Sequence, residues 1–218
     1  MSLDFLVVLA QWPMLLKGLA LTVLLTAIAA PVGSGLGIAC AWARLHGPSW
    51  LRVLVGSYVE LIRNTPFIIQ LFFIFFGLPA LGVKLSAETA SILAMVLNLG
   101  AYACEIVRAG IESTPPGQIE AAKSLALNRW QIFFRVVLPP SLARVWPALV
   151  SQIIIVMLGS AVCGQISTEE ISYAANLISS RTFRSMESYI LVTLVYLGFA
   201  VLLRQTLNWA GPRFIFGR

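Results

Sequence analysis

Few side chains in this sequence have the type and spacing for chemistry. His46 is the single histidine and stands beside Gly47 and Pro48, a turn setting that reads as loop rather than ligand. Cys40, Cys104 and Cys163 lie singly and far apart, with neither disulfide nor metal-ligand spacing, and read as small helix-packing residues. No Ser-His, paired-Asp or His-Glu-x-x-His arrangement falls in the apolar runs, which argues against an intramembrane enzyme. Gly33, Gly35 and Gly37 are not followed by Lys and Ser or Thr, so they suit close helix packing rather than a phosphate cradle. What remains is recognition. Gln70, Asn98, Gln152 and Ser160 sit inside apolar stretches, where an unsatisfied amide or hydroxyl is costly, so they either bond helix to helix or line a substrate path at mid-membrane depth. Glu105 and Arg108, one helical turn apart, predict an ion pair that holds the loop after them.

The elements that must position these residues follow from composition. Of 218 residues, 59% are hydrophobic and 11% charged, and the mean hydropathy is +0.88, so the chain needs lipid as solvent. Apolar runs predict helices over about 15–43, 53–79, 85–108, 141–163 and 186–210, giving a single all-α integral membrane domain over 1–218 with about five spans. The segment 164–187 is long enough to hold a further short helix. The net charge of +6 is scattered, with no basic stripe or aromatic platform, and therefore points to bilayer orientation and not to nucleic acid. With the N-terminus outside, Arg44, Arg52, Arg63, Arg108, Lys123, Arg129, Arg135, Arg144, Arg204, Arg213 and Arg218 fall inside. Lys17, Lys84, Arg181 and Arg184 stay outside. That asymmetry predicts a periplasmic N-terminus and a cytoplasmic C-terminus.

The internal segment 105–144 is too long and too charged for a turn. Pro115, Pro116 and Gly117 open it, and Pro139 and Pro140 close it. Between them Ile119, Ala122, Ala126, Trp130 and Phe133 recur at three- and four-residue spacing, which predicts a helix over about 118–133 with one apolar face. Glu120, Lys123 and Arg129 rim that face. Such a helix can dock on a partner or lie flat on lipid headgroups.

The run EAAKSLALNRWQIFFRVVLPPSLARVWPALV, from Glu120 to Val150, resembles the EAA loop of binding-protein-dependent ABC importer permeases. The flanking runs from Arg63, Ala101 and Ser180 are similar to the branch that takes up polar amino acids such as histidine, glutamate, glutamine, arginine and opines. The resemblance implies the type I ABC importer permease fold, in the bacterial inner membrane, with 118–133 as a cytoplasmic coupling helix. It implies a partner ABC ATPase dimer that binds ATP and Mg, a second permease chain, identical or different, and a periplasmic amino acid-binding protein. The chain itself would be non-catalytic and hold no cofactor. By the same resemblance Glu120, Ala121 and Ala122 make the leading ATPase contacts, with Arg129 at the rim, Ala126 fills a small-residue site, and Pro139 sets the exit angle into the next helix. Two positions depart from the family: glycine is usual where Ala126 stands, and a Lys-Asp pair is common where Leu158 and Gly159 stand. A stand-alone secondary transporter or channel is the competing reading, though no intramembrane acids or broken-helix repeats stand out for ion coupling.

Overall fold

A backbone without water must bond to itself. In the computed structural model, which describes residues 4–215, every regular element among the described residues is helical. A short α1 (Phe5–Leu9), capped by the Asp4 carboxylate, leads into α2 (Trp12–His46). The 35 residues of α2 make a rod of about 52 Å at 1.5 Å per residue, ample for a tilted span. Its main neighbour is α5 (Ala87–Glu112), which Ser86 starts by accepting the Thr89 N–H at 3.2 Å. Two glycines let these helices meet. A Cβ on Gly37 would lie 2.4 Å from the Ala103 Cβ, and one on Gly33 2.8 Å from the Leu99 Cβ. Gly35, expected to share that role, faces outward, and a Cβ there would meet nothing within 4 Å.

The second span differs from the single helix expected over 53–79. α3 (Ser49–Arg63) ends at Asn64, and α4 (Phe67–Phe72) sets off at 113° to it, continuing through a π turn (Phe73–Gly77) and a 3-10 turn (Leu78–Leu81). Pro66 is the cause: it has no N–H to donate and forces Thr65 out of the α region. Side chains then bond the last carbonyls of α3, adding to the Asn64 N–H already on Glu60 O at 3.0 Å. Asn64 Nδ2 donates to Glu60 O at 2.8 Å and Thr65 Oγ1 to Leu61 O at 2.8 Å. Counting the bent pair as one, five helices among the described residues are long and apolar enough to cross a membrane.

After α5 come α6 (Pro116–Ser124), the single turn α7 (Arg129–Gln131), a π stretch (Ile132–Val137) and α8 (Leu138–Gly159), which tightens into a 3-10 turn (Ser160–Ile166). From Arg129 to Ile166 the rod is continuous. Pro139 and Pro140 sit inside it, preceded by the π stretch, whose shifted register accommodates their missing N–H groups. α9 (Ile171–Thr182) lies across the start of α2, close enough that a Cβ on Gly18 would meet Ile171 Cα at 2.9 Å. The fully buried Glu170 carboxylate caps α9, accepting the N–H groups of Ser172 and Tyr173 at 2.9 and 2.7 Å and the Tyr196 hydroxyl at 2.6 Å. Burial holds that carboxyl above its ordinary pKa. Tyr196 belongs to α10 (Ser185–Ala210), the last and most exposed span. Arg218 lies outside the described residues.

Candidate functional site

α6 projects from the bundle on a hinge that two spans hold. Thr114, buried at the end of α5, shares a 3.1 Å hydrogen bond with Ser141 of α8, and Arg144 of α8 donates to the Ser113 hydroxyl. Below them a Cβ on Gly110 would lie 2.8 Å from Val145, so α5 and α8 are in close contact at this end. Pro115 caps α6 and Pro116 occupies its first turn, where the missing N–H costs nothing. A push on α6 therefore reaches two spans at once.

The predicted helix 118–133 is two pieces. α6 stops at Ser124 because Ala126 adopts φ 53°, with its N–H on Lys123 O at 2.9 Å and the Leu127 N–H on Ala122 O at 3.3 Å, a Schellman cap. Asn128 and Gln131 then form a capping box that starts α7, with bonds of 3.0 and 2.9 Å. Trp130 and Phe133 thus belong to the rod that continues into α8. The chain breaks at Ala126, and the rod runs on through Pro139, the position expected to set the exit angle. Ala126 is exposed, so its small size answers to backbone conformation rather than to close approach of its side chain within the chain. In the left-handed region a Cβ costs about 1–2 kcal/mol, partly offset by the greater freedom of glycine in the unfolded chain. Ala126→Gly should accordingly stabilise by about 0.5–1 kcal/mol, read as a raised thermal midpoint of the purified chain.

The face of α6 that looks outward is also not the one expected. Ala122 is only 4% exposed, packed with the half-buried Ile119 against the protein's own core. Glu120, Ala121 and Ser124 point away, and Leu125 at the tip is 75% exposed. Leu125 is the residue that periodicity missed, since it falls off the apolar stripe. Arg129, also exposed, lies over the Trp130 ring at 5.6 Å.

Of the four mid-membrane candidates, the fold joins two. Gln70 Nε2 donates to Ile62 O at 2.7 Å and to Thr65 O at 2.9 Å, stapling the break between α3 and α4, while its Oε1 accepts from Asn98 Nδ2 at 3.0 Å. Among the described residues no hydrogen bond ties Gln152 to that pair, and Ser160 lies fully buried near Tyr196. All four side chains are buried and do not converge on one cavity. The centre of the bundle, between Thr26, Leu99 and Ile153, has ≈ 0 Å³ of room for water. The open face of α8 is instead the stripe Ser151, Ile155 and Leu158, the last at a position of the missing Lys-Asp pair.

At the α6 end, Glu105 does more than pair with its own helix. Its carboxylate binds Arg108 at 2.7 Å, Arg44 of α2 in a short contact, and Arg63 of α3 at 3.9 Å. Arg108 also reaches Glu112 at 2.7 Å. Glu105→Gln would leave Arg44 and Arg63 facing Arg108 with only Glu112, on the far side of Arg108, as a counter-charge. It should destabilise by about 2 kcal/mol, below a fully buried pair because the arginines are 25–43% exposed; a lowered unfolding midpoint in detergent reads it.

Comparison with known proteins places this geometry. The family described as binding-protein-dependent transport system inner membrane component matches residues 33–215. The probable amino-acid ABC transporter permease protein YckA of Bacillus subtilis (strain 168) is 33% identical, over 85% of this chain and 82% of its own length. The L-cystine transport system permease protein TcyB of the same strain is 36% identical, over 78% and 73%. A crystal structure of an amino acid ABC transporter superposes with a TM-score of 0.86 at 32% identity, covering 98% of this chain and 100% of the other. An inward-facing MetNI methionine ABC transporter, at 20% identity and a TM-score of 0.73, shares the fold.

Proposed function

The chain belongs to the binding-protein-dependent transport system inner membrane component family, and from that membership we propose that it is the permease subunit of an ATP-driven amino acid importer. In this reading a periplasmic binding protein delivers the substrate, and a separate ABC ATPase dimer, which binds the ATP and Mg, drives the cycle through α6. The observation that carries it is the form of α6: a stub opened by Pro115 and Pro116 and closed by a Schellman cap, presenting Glu120, Ala121 and Leu125 outward and tied through Ser113 and Thr114 to α8. Arg44, Arg63 and Arg108 gather at the same end, which by the positive-inside rule supports a cytoplasmic α6 and an external N-terminus.

Tight packing between Thr26, Leu99 and Ile153 supports a substrate path between two permease chains, along the outer stripe of α8, rather than through one. That stripe has no ionic group, so what it offers a substrate is one hydroxyl and an apolar surface. The break in the second span is the feature a stand-alone secondary transporter would share. Here Thr65 on Leu61 O and Gln70 on Ile62 O and Thr65 O occupy the freed backbone, which favours a structural bend over an ion site.

Co-expression with an ABC ATPase and reconstitution in vesicles tests the proposal. Uptake of a radiolabelled amino acid should require interior ATP and added binding protein; uptake by the chain alone, driven by an ion gradient, would overturn it.

A further inference from the structure

Beside α6 the end of α2 carries a ledge that excludes the outward-facing Glu120, Ala121 and Leu125 but includes Arg129, expected at the rim of the docking face. The rings of Trp42 and Trp130 stack at 4.7 Å, and with Phe133 they separate two hollows. One, of about 320 Å³, runs along α2 over Gly35, Ile38 and Ala39 and is closed by Phe134. Gly35 floors it: a Cβ there meets nothing within 4 Å, in contrast to Gly33 and Gly37 on the packed side of the helix. The other, of about 240 Å³, is apolar inside but carries Lys123 and Arg129. Among the described residues neither cation has a carboxylate partner, and both are exposed.

A groove along a spanning helix meets hydrocarbon, tryptophans at the end of a span mark the interface, and unpaired cations there attract phosphate. We propose that this ledge is a binding site for an anionic phospholipid. One acyl chain fills the Gly35 hollow and the phosphodiester rests on Lys123 and Arg129. Because Lys123 belongs to α6 and Gly35 to α2, the bound lipid bridges the projecting stub to the first span. The inference stands apart from the transport proposal.

Native mass spectrometry of the full chain, delipidated in detergent and titrated with phosphatidylglycerol or phosphatidylcholine, tests it. Wild type should retain one phosphatidylglycerol with a preference of roughly thirtyfold, as two cations near the surface supply. The double variant Lys123→Gln, Arg129→Gln should bring the preference close to one. Gly35→Leu should lose retention of both lipids while its unfolding midpoint stays at the wild-type value. Equal retention of the two lipids by wild type, or undiminished phosphatidylglycerol on Gly35→Leu, would overturn the site. So would disulfide-linked dimers of Gly35→Cys in native membranes without lipid retention, which would assign the hollow to a second copy of the chain. ATP-dependent uptake surviving any of these results leaves the permease proposal intact.

Discussion

Glu120→Lys should leave the chain inserted and folded, yet abolish its co-purification with the ATPase and its ATP-dependent uptake. Glu120 is exposed on the outward face of α6 and makes no ion pair among the described residues, so its charge does nothing for the chain's own stability. Reversal at a docking surface replaces attraction with like-charge repulsion, a loss of about 2 kcal/mol or more and association at least about thirtyfold weaker. Leu125→Asp should act in the same direction, since its 75% exposed side chain is the apolar tip of that face. Ala122→Ser, beneath the helix, should weaken docking far less. Pull-down of a tagged ATPase with each variant measures the series, and wild-type recovery with Glu120→Lys would count against α6 as the docking element.

Gly37→Val is expected to be the most damaging substitution for the fold itself. Its Cβ would stand 2.4 Å from the Ala103 Cβ and 2.9 Å from the Cys104 backbone nitrogen, neither of which can rotate away. The helices α2 and α5 would have to separate, opening the core from Ala29 to Ala103; overpacking of this kind costs about 3 kcal/mol. Gly35→Val, two residues away on the open side, should leave stability within about 0.5 kcal/mol. The unfolding midpoints of the pair in detergent give the comparison directly.

The apolar runs were long enough to reveal the spans, and the proline-bounded charged segment stood out because a helix bundle has no other use for it. Local caps were harder to read. Ile119, Ala122, Ala126, Trp130 and Phe133 keep a three-and-four spacing straight through the left-handed Ala126, so periodicity joined α6 to α7, although Asn128 and Gln131 already spelled a capping box. Periodicity also says that a face is apolar without saying what covers it: Ala122 turned inward, and Leu125 was left exposed. Pro66 was visible, yet a hydrophobic window averages across one residue and hides a 113° bend. The pairing of Gln70 with Asn98 was within reach of sequence reasoning as a helix-to-helix hydrogen bond. Its use in stapling the bend needed the bend itself to be known.

The Glu105 cluster also bears on biosynthesis. Arg44 and Arg63 leave the ribosome before the carboxylate that neutralises them, because Glu105 belongs to a later span. Until α5 arrives, α3 carries Arg52, Glu60 and Arg63 beside a kinked, abbreviated partner, a poor substrate for a translocon that partitions segments by hydrophobicity. The second and third segments are therefore expected to enter the bilayer as a unit, and in a nascent chain truncated before Glu105 the second segment should stay open to added protease although α2 anchors the chain.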